Sequence, residues 1–378
     1  MPIRAALRVA TLAGLLSIPT LVWAVEFVIV GPRATGMGGA GVAITTDSLA
    51  TYWNPAGLAL IQSVDIRIQG GAQGIDRLGI ADAITDLEDF NPNDTSAQNL
   101  ANAQNIANRL NQPGATTSLN GSAGLYLKGH FGEHAFGINV SDVATGGGFV
   151  SSPAQVTSGG GQININGAMA LQGLEVRQVA LSYAYAFFDK TFSFGVTGKF
   201  LQGAAYTGTM PLQGGQDVKI TDNFGKPAIS TAFGVDVGAI YRPSSWLRFG
   251  VVAKDLNQPA FDAPVGGEIK LRPQVRGGMA VNPYSTLTLS ADVDITSNTT
   301  LVPGVKSQLL SLGAEQTILT EFLSFRVGAF KNMKDASTPF IPTAGLGIRI
   351  FKFRLDIGGG YDFNEKGALA SGSVSLTF

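Results

Sequence analysis

From residue 63 onward apolar and polar residues alternate in runs of about ten, the length a tilted strand needs to cross a bilayer. The period is two, which puts successive side chains on opposite faces of an extended strand. In 285–295, Leu287, Leu289, Ala291, Val293 and Ile295 share one face, and Thr286, Thr288, Ser290, Asp292 and Asp294 share the other. In 352–362, Phe353, Leu355 and Ile357 oppose Arg354 and Asp356. The runs are 63–72, 118–128, 133–142, 176–187, 191–202, 230–241, 245–254, 272–282, 285–295, 307–317, 322–332, 340–350, 352–362 and 368–378. They predict an all-β chain, a 14-stranded antiparallel transmembrane β-barrel.

A soluble sandwich also alternates, so the connections decide. Links after even-numbered runs are short, such as Phe188–Lys190 and the single residue Phe351, whereas links after odd-numbered runs span 73–117, 143–175, 203–229 and 255–271. Short turns at one end and long loops at the other mark periplasmic and extracellular sides. Aromatics gather at the short ends, with Tyr183, Tyr185, Phe187, Phe188, Phe192 and Phe194 around one turn and Trp246 and Phe249 at another. This is the pattern of an interfacial girdle. Within 73–117 the period changes. Ile80, Ile84 and Leu87, then Leu100, Ala103, Ala107 and Leu110, recur at helical spacing, so two short helices are expected in that extracellular loop.

The start of the chain reads as an export signal. Arg4 and Arg8 precede an apolar run from Val9 to Trp23, and Val22-Trp23-Ala24 is a small-x-small cleavage site. The expected organisation is a signal peptide at 1–24, a plug at 25–62 and the barrel at 63–378. An exported barrel of this kind belongs in a bacterial outer membrane, with lipid as its first partner.

Composition narrows the function. A net charge of −1 offers no basic excess for nucleic acid. The absence of cysteine removes thiol chemistry and Cys-based metal sites. The 49 glycines have no collagen period and call for another explanation. Barrel size supplies one, since about eight strands can be filled by side chains whereas about sixteen leave a channel. Fourteen strands leave a wide lumen, and a Gly-rich segment before the first strand can fold back into it.

Candidate chemistry is sparse. Gly36, Gly38 and Gly41 fit G-x-G-x-x-G, but no βαβ unit surrounds them, so no nucleotide site is expected. His130 and His134 flank one short turn and read as solvated turn residues, not metal ligands. No catalytic residue, cofactor or metal is expected. The polar parity carries a charge on nearly every strand: Asp65, Arg67, Lys199, Asp236, Arg248, Arg276, Asp292, Asp294, Glu315, Arg326, Arg349, Arg354 and Asp356. In a barrel these line the lumen and face water, the plug or each other. Asn54 in the plug is placed to bond to one of them.

Residues 31–60 read GPRATGMGGAGVAITTDSLATYWNPAGLAL, and the chain ends Ser373-Val374-Ser375-Leu376-Thr377-Phe378. The first stretch resembles the start of the FadL-like outer-membrane barrels, the long-chain fatty-acid transporter superfamily. Within it the chain is similar to the TraF-like and PorV-like branches. The matching positions are Gly36, Gly38 and Gly39 in the glycine stretch, then Asp47, then Asn54, Pro55 and Ala56. Phe378 looks like the terminal assembly signal of such barrels. The resemblance implies a fourteen-stranded barrel with an N-terminal hatch that blocks the lumen. It also implies binding or passage of small hydrophobic molecules, some leaving through a side opening in the wall. Gly137 is the expected position of such a gap. Two other functions stay open: a non-transporting scaffold for secretion or conjugation proteins, and a water-filled pore.

Overall fold

The structure, a computed structural model, describes residues 26–217, 223–319, 322–335, 338–364 and 366–378. The expected signal peptide and its cleavage site lie outside the described residues. Fourteen strands form a closed antiparallel barrel. They are β1 (Asp65–Arg77), β2 (Thr116–Phe131), β3 (His134–Gly159), β4 (Gln162–Phe187), β5 (Phe192–Gln213), β6 (Ala228–Ser244) and β7 (Leu247–Lys254), then, beyond the small hairpin β8 (Ala260–Asp262) and β9 (Glu268–Lys270), β10 (Gln274–Tyr284) and β11 (Leu287–Asp294). After a second hairpin, β12 (Asn298–Thr299) and β13 (Lys306–Ser307), come β14 (Leu309–Ile318), β15 (Leu323–Asn332), β16 (Ile341–Ile350), β17 (Phe353–Asp362) and β18 (Gly367–Thr377). Each barrel strand pairs with its neighbours in barrel order, and β1 closes on β18 with Asp65 opposite Thr377.

The faces are inverted relative to a soluble protein. Ile68 is 64% exposed and its neighbour Arg67 is 4% exposed. Phe200 beside Lys199, and Val327 beside Arg326, repeat the pattern. Water would penalise such an outer surface, and hydrocarbon does not. The chain is therefore a transmembrane barrel of the outer-membrane type, with lipid around its wall.

Two features of the wall depart from the sequence reading. The segment 143–175, expected as a loop, is strand except for a tight turn at Gly160–Gly161. β3 and β4 each run 26 residues and β5 runs 22, against 8 for β7 and β11. Above the bilayer the outer face no longer has to be apolar, and β-bulges around Ser152 shift the period. Alternation therefore fades although the hydrogen-bonded ladder continues.

The second feature is what covers this extension. Helices α3 (Ile80–Glu88) and α4 (Ala97–Leu110) stand between β1 and β2. The Ser96 hydroxyl accepts a bond from Asn99 N at 3.2 Å and caps α4. Ile80, Leu87, Ile106 and Leu110 pack on Ile163, Ile165, Met169 and Leu171 of β4 and on Met210 and Leu212 of β5. Met169 pairs with Met210 on the same sheet face as Val179 and Phe200 lower down. One face thus meets lipid below and helices above. Asn111 fixes the junction, bonding both the N–H and the C=O of Ala154 on the free edge of β3. On the opposite flank Lys366 binds Asp82, and that hydrogen bond holds the Asp82 carboxyl below the ordinary carboxylate range.

This cap should melt independently of the wall. Leu87→Ala or Ile106→Ala removes a fully buried side chain and should cost the cap about 2–5 kcal/mol. Hydrogen exchange should speed up over 80–110 while the β14–β18 amides stay protected. Uniform loss of protection around the barrel would refute the separation.

Candidate functional site

The described N-terminal residues fill the lumen. Glu26–Val30 lie there without helix or strand, followed by helix α1 (Pro32–Gly36), helix α2 (Ala50–Trp53) and a 3-10 turn at Pro55–Ala59. Their own core is aromatic. The Phe27 ring lies 5.2 Å from that of Trp53 and 5.8 Å from that of Tyr52. Trp53 Nε1 donates to Val30 O, and Tyr52 Oη donates to Val28 O, both at 2.8 Å. Two wall cations close this cluster, with Lys254 Nζ 3.4 Å from the Tyr52 ring centre and the Arg276 guanidinium 4.0 Å from that of Phe27.

The wall receives this segment on glycines. Gly137, Gly195, Gly250, Gly313, Gly328 and Gly345 all point inward at its level. A Cβ on Gly313 would sit 2.5 Å from Met37 O, and one on Gly195 would sit 2.5 Å from Ala56 N. On the facing side, Gly38 adopts φ 66°, and a Cβ there would lie 2.5 Å from Ala329 O. Only glycine permits both that dihedral and that approach. Gly36 sits against Gly345, and Gly39 lies beside Ile29 and Ser311. The glycine abundance therefore reflects backbone packed on backbone.

Gly137 needs correction on this account. Its strand pairs without a break, with Lys128 on one side and Ser182 on the other. The missing side chain makes room for Thr51 and Leu58 of the plug, so this is a packing position and not a gap.

Polar contacts complete the fit. Asp292 Oδ2 accepts from Gly41 N at 2.7 Å and Val42 N at 2.8 Å. Asn54 Nδ2 donates to Val42 O at 3.1 Å and to the wall carbonyls of Ala239 and Val251 at 3.3 Å, while its Oδ1 accepts from Ala56 N. Pro55 opens the 3-10 turn, where a missing N–H is harmless. Lys128 Nζ donates to Thr46 O at 2.6 Å and to Ile61 O at 2.7 Å.

The lumen charges sit on inward faces and largely form one network. Arg33 meets Glu315 at 2.6 Å, and Glu315 meets Arg326 at 2.6 Å. Asp356 joins Arg326 at 2.8 Å, Arg354 at 2.9 Å and Arg67 at 3.6 Å. Arg67 continues to Asp47 at 2.9 Å and to Asp65 at 3.6 Å. Four arginines thus face four carboxylates, with Arg33 and Asp47 supplied by the plug. Lys199 pairs separately with Asp236 at 2.7 Å and Asp255 at 2.6 Å, and Arg276 pairs with Asp294. Near the short-turn end, Arg248 donates to Asn282 Oδ1 at 3.2 Å and Arg349 to Phe351 O at 3.4 Å, both half-buried.

Several contributors were not singled out in the sequence. Arg33, Lys128, Phe27, Tyr52 and Trp53 all fix the plug. Aromatics inside a Gly-rich stretch were the available signal. The histidines also differ from expectation, since both belong to strands. His130 bonds to Ala59 O of the plug at 3.2 Å, and His134 Nδ1 bonds to Tyr183 Oη at 2.8 Å. The tight turn holds only Gly132 and Glu133, so the ladder reaches both rings. Phe378 completes the seam through Phe378 N to Val64 O at 2.8 Å, with its ring beneath Lys352 Nζ at 4.4 Å.

Above the plug the lumen keeps two chambers separated by Glu26 and Phe27. The larger, about 110 Å³, is lined by Phe27, Ile29, Ile75, Leu301, Val302, Leu309, Phe330 and Ile341 and by polar and charged residues that include Glu26, Gln73, Arg77, Asn120, Ser307, Asn332, Asp335 and Asp362. The smaller, about 70 Å³, lies against Tyr52, Leu174, Leu201, Lys254 and Leu271. An enclosed space that joins apolar side chains to polar ones able to fix orientation is a form that small-molecule sites take.

Residues 51–294 match the family model described as "F plasmid transfer operon, TraF, protein". No curated protein matches the chain. Solved structures of similar fold include the CymD monoaromatic hydrocarbon channel, at 15% identity and TM-score 0.56, covering 94% of this chain and 98% of that one. The Pseudomonas putida toluene transporter TodX matches at 10% identity and TM-score 0.56, again over 94% and 98%. The Ralstonia pickettii toluene transporter TbuX matches at 14% and 0.55, over 92% and 97%. These likenesses bear on the fold alone, and it is the barrel expected from the sequence.

Proposed function

Starting from a chain that belongs to the TraF family and folds as a fourteen-stranded barrel, we propose that it binds small hydrophobic molecules at the outer membrane and passes them inward. The observation that carries this reading is the chamber above the plug, about 110 Å³ in volume, with Phe27, Ile29, Leu301, Leu309, Phe330 and Ile341 in its lining. That volume suits a molecule near the size of benzene, since a dry apolar cavity of about 150 Å³ holds one. The similar barrels named for toluene and monoaromatic hydrocarbons support the same ligand class. The plug acts as a hatch, with Gly36, Gly38, Gly39, Asp47, Asn54, Pro55 and Ala56 seating it and the lumen charges latching it. Passage then requires the hatch to shift, because its backbone packs directly on wall glycines such as Gly313 and Gly328.

Toluene serves as the probe. The full chain in liposomes should take it up, and Phe330→Trp, which fills the chamber, should cut uptake at least tenfold. The chain lacks cysteine, so a pair placed at Thr51 and Asn139, whose side chains meet at 3.0 Å, can lock the hatch. The oxidised pair should abolish uptake, and reduction should restore it. Undiminished transport by the locked form would refute gating. Absence of toluene binding, with a stoichiometric protein partner on capture, would favour the scaffold.

A further inference from the structure

The smaller chamber above the hatch holds a buried ammonium that neither hatch nor wall supplies with an acceptor. Lys254 ends β7 and is 7% exposed. Its Nζ lies 3.4 Å from the ring centre of Tyr52 and 4.5 Å from that of Phe27. Among the described residues it has no ion pair and no side-chain hydrogen bond. The carboxylates of Asp236 and Asp255 are taken by Lys199, at 2.7 and 2.6 Å. Ring faces attract an ammonium but accept no conventional hydrogen bond. A buried donor without an acceptor is a standing cost. Lys254 lines the chamber beside Leu174, Leu201 and Leu271, so a guest there can supply what it lacks.

Charge decides which acceptor fits. Around this space Asp236, Asp255 and Glu26 outnumber Lys199 and Lys254. A carboxylate guest would enlarge an excess of negative charge that is already present. A hydroxyl adds none. Its oxygen accepts from Lys254 Nζ, and its O–H is free to donate to a carboxylate of the same lining, Glu26 or Asp255.

Size decides what carries the hydroxyl. The smaller chamber, about 70 Å³, is too small for an aromatic ring, since a cavity of about 150 Å³ holds benzene. The larger chamber, about 110 Å³, is nearer that size, and the two together exceed it. Glu26, Phe27 and Thr145 line both. Arg276 and Lys254 flank the Phe27 ring, whereas the Glu26 carboxyl is held by Asn120 Nδ2 at 2.8 Å. A hydroxyl that displaces this carboxyl offers it a new donor in exchange.

We propose that the ligand is a phenol, with its ring in the larger chamber and its hydroxyl on Lys254 in the smaller. The proposal rests on the reading of the larger chamber as a small-molecule site and names the chemical class that this site takes.

The test measures equilibrium binding of phenol, toluene and benzoate to the full chain in nanodiscs, with uptake by empty nanodiscs subtracted. Phenol and toluene have nearly the same shape and differ in the hydroxyl. Phenol should bind at least as tightly as toluene, although it is the more water-soluble of the two, and about tenfold or more tighter than benzoate. That ranking is read in the unaltered chain and does not depend on any variant folding. In Lys254→Met the ratio of phenol to toluene affinity should fall about tenfold, the worth of one hydrogen bond to a charged group. Lys254→Gln, which keeps an N–H donor, should recover part of it. Leu201→Phe, which fills the smaller chamber, should lower the ratio as well, and Arg177→Gln on the outer wall should leave it as it is. Toluene binding without any gain for phenol overturns this proposal alone. So does benzoate binding as tightly as phenol, or a ratio indifferent to Lys254→Met. Failure of both phenol and toluene to bind overturns the reading of the larger chamber as well.

Discussion

Valine at position 328 is expected to turn the stoppered barrel into a leaky one. Gly328 points inward on β15, and any Cβ there would fall on Gly38 N and Met37 C of the hatch. Neither neighbour can rotate away, because both are backbone. Forcing extra carbon into a packed interior costs about 1–3 kcal/mol or more. The wall carbonyl of Leu312 would also lie 2.8 Å from that Cβ, but the two hatch atoms are nearer, at 2.4 Å, and β15 is held on both sides by its pairing with β14 and β16. The hatch yields instead. Gly328→Val in planar bilayers should show steady conductance where the parent is silent, and protease should cut within 26–62. Gly129→Val is the control, because nothing lies within 4 Å of a Cβ at that position. A silent, protected Gly328→Val barrel would show that the hatch can be rebuilt in place.

The second large effect is expected at Glu315. This carboxylate sits between Arg33 of the hatch and Arg326 of the wall, with side-chain exposures of 6%, 23% and 0%. Glu315→Gln keeps the shape and removes the charge, leaving two guanidiniums facing a neutral amide. Breaking a buried pair on one side costs about 3–5 kcal/mol, and Arg326, fully enclosed, then keeps only Asp356, which it shares with Arg354 and Arg67. Unfolding in detergent should register a loss of that order. Adding Arg33→Met should recover part of it, because one of the stranded cations is then gone. Additive losses would mean that the two residues do not communicate. Arg177→Gln on the outer surface, where exposed pairs contribute about 0–1 kcal/mol, provides the baseline.

The wall was legible in the chain because each lipid-facing position is constrained independently. One misplaced charge on that face is penalised wherever it falls, so the period survives without reference to partners. The same logic assigned Arg67, Asp292, Glu315 and Asp356 to the lumen. What they touch was not legible. Arg33 and Glu315 are 282 positions apart, and nothing local marks either as the other's partner. Lys128 escaped notice because it spends its charge on carbonyls, which have no signature in side-chain pattern. Gly137 misled for a related reason. A glycine in a strand signals close approach as readily as interruption, and only the facing Thr51 and Leu58 decide which. The length of β3–β5 was hidden where the strands leave the bilayer and the rule that shaped them stops applying.

The seam between β1 and β18 carries a consequence for biogenesis. The ring is completed by the first barrel strand meeting the last, so closure must wait for the final residues to be synthesised. The stopper, encoded ahead of β1, exists throughout that wait. It touches wall glycines on both arcs, Gly195 and Gly313 among them. The strand that closes the ring is thus continuous with the stopper it encloses, so a displacement of the stopper pulls directly on the seam at Val64 and Asp65.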